Sequence, residues 1–119
     1  GLAQGISLLG SSNNELNNND VSNNPQGIRL GSSNSNTLNN NSASNNEVGI
    51  VLVSSSNNTV TANLLLKNNK GILVGDDSNN YIYGNEIKDK AVPEGPFFSA
   101  LLTLLILGIA FLFITREQK

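Results

Sequence analysis

The chain has 119 residues, 22 of them Asn, with 13% charged side chains and a formal charge of −2. This lies outside ordinary globular composition and lacks the basic surface that nucleic acid requires, so nucleic acid is not an expected partner. Cys, His, Met and Trp are absent, which removes thiol chemistry, disulfide staples, the usual zinc and copper ligands and the ordinary general base near neutral pH. No cofactor is expected, and Gly1 in place of Met reads as a processed N-terminus or an internal cut.

From the N-terminus onward the chain repeats. Gly-Ile pairs stand at Gly5-Ile6, Gly27-Ile28, Gly49-Ile50 and Gly71-Ile72, a spacing of 22 residues three times running. In register with them run the aliphatic columns Leu8/Leu30/Leu52/Val74, Leu16/Leu38/Val60/Ile82 and Val21/Ala43/Leu65/Ile87, and the amide columns Asn14/Asn36/Asn58/Asn80 and Asn19/Asn41/Asn63/Asn85. Asn, Ser and Gly disfavour helix interiors, and 22 residues are too few for a helical-pair repeat. Short alternating pieces such as Gly49 to Val53 and Thr59 to Thr61 read instead as strands bounded by polar turns. The expectation is a coil of about three short strands per repeat, stacked at about 4.8 Å around a narrow aliphatic core. Asn suits the bends because it tolerates left-handed backbone, and stacked amides can bond one another. Asn19, Asn41, Asn63 and Asn85 are the expected buried ladder. Leu64-Leu65-Leu66 departs from the polar pattern and reads as a local apolar patch or wider core.

Across residues 5 to 90 the pattern of Gly-Ile-x-Leu, then Ser-Ser-Asn-Asn and an aliphatic residue, then Asn and a later Ser-Asn-Asn, resembles a known group of repeats. These are right-handed parallel β-helix proteins of the pectin-lyase-like superfamily, specifically the NosD-like or carbohydrate-binding and sugar-hydrolase group. The resemblance implies an all-β, right-handed parallel β-helix of about four 22-residue coils. Its members include sugar-processing enzymes, surface proteins of bacteria and archaea, and a periplasmic protein linked to copper-site maturation, so it specifies architecture more than activity.

Sugar-cleaving β-helices carry acidic residues on one outer face. Here the outward column beside Gly-Ile is Ser7, Arg29, Val51 and Leu73, with no carboxylate stack. Asp76-Asp77 reads as a turn, with weak calcium binding as its functional alternative, since adjacent residues of an extended segment face opposite ways. Glu15, Asp20, Glu47, Glu86 and Asp89 fall in different columns and read as solvated charges. Tyr81 and Tyr83 share a strand face on either side of Ile82, and such a pair could stack on a sugar ring. Asn40 and Asn57 head Asn-x-Ser/Thr sequons and are glycosylation candidates.

Residues 1–90 are thus expected to form the β-helix, residues 91–96 a linker, residues 97–115 a transmembrane helix and residues 116–119 a cytoplasmic tail. The last coil before the linker would act as the C-terminal cap, while the first presents an open end prone to strand addition, which suggests further coils upstream. Pro93, Glu94, Gly95 and Pro96 break regular structure. With the apolar run behind them they resemble the sorting signals of archaeal surface proteins, although Phe97 follows Gly95-Pro96 instead of Pro93-Glu94. Phe97 to Thr115 carries no charge, and 19 residues of helix span about 28 Å, close to the hydrocarbon thickness of a bilayer. Arg116 and Lys119 beyond the run balance Lys88 and Lys90 before it, so the Ser/Asn-rich, cysteine-free composition decides an outward-facing domain.

The expected function is a membrane-anchored extracellular surface protein with a structural, adhesive or glycan-contacting role and no enzymatic chemistry in this segment. Its expected partners are the membrane, surface glycans and other envelope proteins. The alternatives are a polysaccharide-acting enzyme whose active face lies upstream, or a NosD-like accessory subunit of a membrane complex.

Overall fold

The computed structural model describes residues 3–75 and 79–91. Twelve strands follow in chain order: β1 (Gln4–Leu9), β2 (Glu15–Asn17), β3 (Asp20–Ser22), β4 (Gln26–Gly31), β5 (Thr37–Asn39), β6 (Ser42–Ser44), β7 (Val48–Val53), β8 (Thr59–Thr61), β9 (Leu64–Leu66), β10 (Lys70–Gly75), β11 (Tyr81–Tyr83) and β12 (Glu86–Lys88). They form three four-stranded parallel sheets, β1-β4-β7-β10, β2-β5-β8-β11 and β3-β6-β9-β12. Each coil therefore contributes one six-residue and two three-residue strands, and the architecture is a parallel β-helix of four turns. No helix long and apolar enough to cross a membrane occurs among the described residues.

The 22-residue period sets the register. Ile6, Ile28, Ile50 and Ile72 pair in sequence across the first sheet, as do Leu8, Leu30, Leu52 and Val74. Leu16, Leu38, Val60 and Ile82 stack in the second sheet, and Val21, Ala43, Leu65 and Ile87 in the third. These columns converge on one core in which Ile28, Leu30, Leu38, Ile50, Leu52, Val60 and Leu65 have no exposed surface. Burying each such side chain contributes roughly 1.5–3 kcal/mol. The expected columns are all present, with Leu65 in the core and Leu64 and Leu66 half-buried on the outside of β9.

The recurring Gly is explained by close approach. A Cβ at Gly27 would lie 2.5 Å from the Gly49 carbonyl oxygen, and one at Gly49 would lie 2.7 Å from that of Gly71. At these corners the backbone of one coil rests on the next, and a side chain has no room.

Left-handed backbone recurs at the corners, in the columns Gly10/Ser32/Ser54, Asn13/Ser35/Asn57/Asn79, Asn18/Asn40/Ala62/Gly84 and Asn23/Asn45/Lys67. Each of these residues immediately precedes a ladder residue, as Asn57 precedes Asn58. The bend and the ladder, which the sequence suggests could share a residue, are therefore made by adjacent columns. The bend residue supplies the turn, and its successor is aimed into the corner.

Residues 92–119 lie outside the described residues, and with them the span at 97–115, the tail and Pro93, Glu94, Gly95 and Pro96. Asp76 and Asp77 also lie outside them.

Candidate functional site

Three amide ladders stand one at each turn between strands, two through all four coils and the third through the first three. In the first, the Oδ1 of Asn36 accepts the backbone N–H and the Nδ2 of Asn14 at 2.8 and 3.1 Å. The Oδ1 of Asn58 serves Asn36 in the same way, and that of Asn80 serves Asn58. The second joins Asn19, Asn41, Asn63 and Asn85 with the same paired bonds at 2.9–3.0 Å. The third joins Asn46 to Asn68 through both groups, and the backbone of Asn24 to Asn46. The remaining Nδ2 hydrogen reaches a carbonyl 25 residues back, as from Asn58 to Ser33 and from Asn63 to Leu38. Every donor and acceptor of a mid-ladder amide is thereby used, which makes the burial of Asn36, Asn41, Asn46, Asn58 and Asn63 tolerable.

A shorter hydroxyl ladder, Ser11/Ser33/Ser55, runs beside the first amide ladder. The ladder expected at Asn19, Asn41, Asn63 and Asn85 is present, and two further amide ladders accompany it. These columns are structural, and their mid-ladder amides offer no free group to a ligand.

The lateral surface of the first sheet carries the column Ser7, Arg29, Val51 and Leu73. The Arg29 guanidinium lies across Gly31 of its own strand. Val51 is buried although its column faces away from the core, because in-register neighbours stack above and below it. This face brings no carboxylates together. Glu15, Asp20, Glu47, Glu86 and Asp89 are exposed and dispersed, with Glu86 paired to Lys88 at 3.1 Å. Among the described residues no cluster of three acidic, His or Cys side chains could hold a metal ion.

Tyr81 and Tyr83 are each 64% exposed on β11, projecting from the second sheet on either side of Ile82. Asn40 and Asn57 are exposed bend residues with φ of 57°. A polar groove of about 350 Å³ opens at the corner between the third sheet and the first, lined by Asn23, Asn45, Asn46, Glu47, Lys67, Asn69 and Lys90. The structure does not bring the Tyr pair to this groove, since the two lie on different sides of the coil. Sequence reasoning missed the groove because its walls come from successive coils. The only available signal was the column Asn24/Asn46/Asn68, which marks that corner.

The chain matches the family model described as periplasmic copper-binding protein (NosD) over residues 1–100. It belongs to the NosD family. No curated protein and no solved structure matches it. The family's description names copper, and the residues present here do not fit that ion. Copper sites draw on His, Cys and Met, all three are absent from the sequence, and the described carboxylates are dispersed.

Proposed function

We propose that this NosD-family chain is a membrane-anchored β-helix of the periplasm or cell exterior, acting as a rigid structural, adhesive or glycan-contacting element and performing no chemistry within this segment. The observation that carries this reading is the pairing of an amide scaffold bonded from coil to coil with a surface on which, among the described residues, no three acidic, His or Cys side chains cluster. Such a coil holds its surface rigidly, and the surface is rich in amides suited to sugar hydroxyls. The groove at the third corner, with Lys67, Lys90 and several Asn, and the exposed Tyr81/Tyr83 pair are the two candidate contact sites for glycans. The family description, which speaks of the periplasm, supports the compartment. The charge-free run 97–115 supports the anchor.

Family membership also favours a second reading, an accessory subunit of a membrane complex that acts through contacts without binding copper itself. An affinity screen of the full chain in detergent against a panel of neutral and acidic polysaccharides tests the first. Saturable binding that Lys67→Glu or Tyr81→Ala weakens supports it, whereas no binding to any glycan, together with co-purification of a membrane complex, favours the accessory role.

A further inference from the structure

The two ends of the coil are unlike. At the C-terminal end Val74, Ile82 and Ile87 continue three buried columns, yet they are 41%, 37% and 46% exposed because no described strand stacks beyond β10, β11 and β12. Among the described residues the ends of these columns stand open. Leu73, Tyr81 and Tyr83 lie exposed in the same coil. At the opposite end the matching Ile6, Leu8 and Leu16 are partly buried, Val21 is buried and no aromatic residue occurs.

Lysine, but not charge as a whole, is concentrated toward the same end, since Arg29 lies in the second coil and the last coil also carries Asp76, Asp77, Glu86 and Asp89. The four lysines among the described residues, Lys67, Lys70, Lys88 and Lys90, all belong to the last two coils. Lys88 is paired with Glu86, and no described carboxylate pairs with the other three.

The ladders add a polarity. Each amide donates its backbone N–H and one Nδ2 hydrogen toward the following coil and accepts from the preceding one. Asn80 and Asn85 accept from Asn58 and Asn63, and their Nδ2 groups also reach back to Ser55 and Val60. Their backbone N–H and one Nδ2 hydrogen each have no described partner, so the ladders end at this face in hydrogen-bond donors.

An apolar centre, a tyrosine rim, three lysines with no described carboxylate partner and outward donors together match the headgroup layer of an anionic bilayer. Tyr is at home at the membrane interface, phosphates and ester carbonyls accept hydrogen bonds, and each Lys near anionic lipid adds attraction. We propose that the last coil seats end-on in the headgroup layer of the membrane, with Val74, Ile82 and Ile87 toward the acyl boundary and Tyr81, Tyr83, Lys67, Lys70 and Lys90 among the headgroups. This rests on the anchor reading of residues 97–115, and it assigns Tyr81, Tyr83, Lys67 and Lys90 to the headgroup layer in place of glycans. The six residues 91–96 between coil and run reach at most about 20 Å when fully extended, which keeps the coil at the surface. Because that layer is hydrated, the open strand edges of β10–β12 keep polar partners there.

The sequence contains two Tyr and no Trp, so tyrosine emission reports on this coil alone. The test is the full chain reconstituted in phosphatidylcholine/phosphatidylglycerol vesicles, with and without bromine near the top of the acyl chains, with flotation scored in the same samples. The seat predicts loss of most tyrosine emission in brominated vesicles, shielding from soluble acrylamide, and weaker quenching in vesicles without phosphatidylglycerol. Full flotation with unquenched, acrylamide-accessible tyrosines leaves the anchor standing and overturns the seat. Acrylamide shielding without bromine quenching, accompanied by crosslinks between copies, assigns the face to a second copy and also overturns it. Failure to float overturns the anchor itself.

Discussion

The Oδ1 of Asn58 accepts both the backbone N–H and the side-chain amide of Asn36, at 2.8 and 3.2 Å, one coil away. The relation repeats at each corner and converts a polar residue that a narrow core would otherwise reject into a bolt between coils. Replacing Asn58 with Ala strands two donors of Asn36 and one carbonyl of Ser33 in a buried corner. At about 1–3 kcal/mol for each buried group left unsatisfied, the expected loss is several kcal/mol. Urea unfolding of Asn58→Ala beside Asn57→Ala, at the exposed bend residue next to it, checks this, and equal losses for the two variants would contradict the ladder account.

The bend column offers a gain of stability. Ala62 holds φ at 56° where its counterparts are Asn18, Asn40 and Gly84. A left-handed Ala costs roughly 1 kcal/mol more than a residue suited to that region. Ala62→Asn or Ala62→Gly should therefore raise the urea midpoint, and the opposite change at the same column, Asn40→Ala, should lower it.

Gly49 has the reverse expectation. A Cβ there would meet the Gly71 carbonyl oxygen at 2.7 Å and the Nδ2 of Asn68 at 3.0 Å, and the first of these is backbone. Overpacking of this kind costs about 1–3 kcal/mol. Gly49→Ala should destabilise the coil and speed amide exchange around Asn68, while Gly75→Ala, where nothing lies within 4 Å, should be close to neutral.

The period, the four aliphatic columns and the strand segments were legible in the sequence because in-register stacking forces one residue type to recur every 22 positions. One ladder was anticipated, at Asn19/Asn41/Asn63/Asn85. The third was harder to see because Lys90 breaks its column after Asn68. The division of labour between bend and ladder was not legible, since both columns draw on Asn and Ser and only the backbone angle separates Asn57 from Asn58. The burial of Val51 was also hidden, because alternation along β7 places it outside while its stacked neighbours cover it. The groove was invisible for a related reason: Asn23, Asn45 and Lys67 are far apart in sequence and differ in type, and only coiling aligns them.

Copper gives a test of the chain's departure from its family's description. With no His, Cys or Met and no described carboxylate cluster, titration of the full chain with Cu(I) or Cu(II) should show no saturable site that survives a competing chelator. Stoichiometric binding under competition would mean that donors outside the described residues assemble a site.

The central claim is that buried, fully bonded Asn ladders hold the four coils in register. Side-chain amide hydrogen exchange, followed by NMR, reads it most directly. The account predicts that the Nδ2 protons of Asn36, Asn41, Asn58 and Asn63 exchange far more slowly than those of the exposed Asn34, Asn57 and Asn69. Uniformly fast exchange across all these side chains would contradict it.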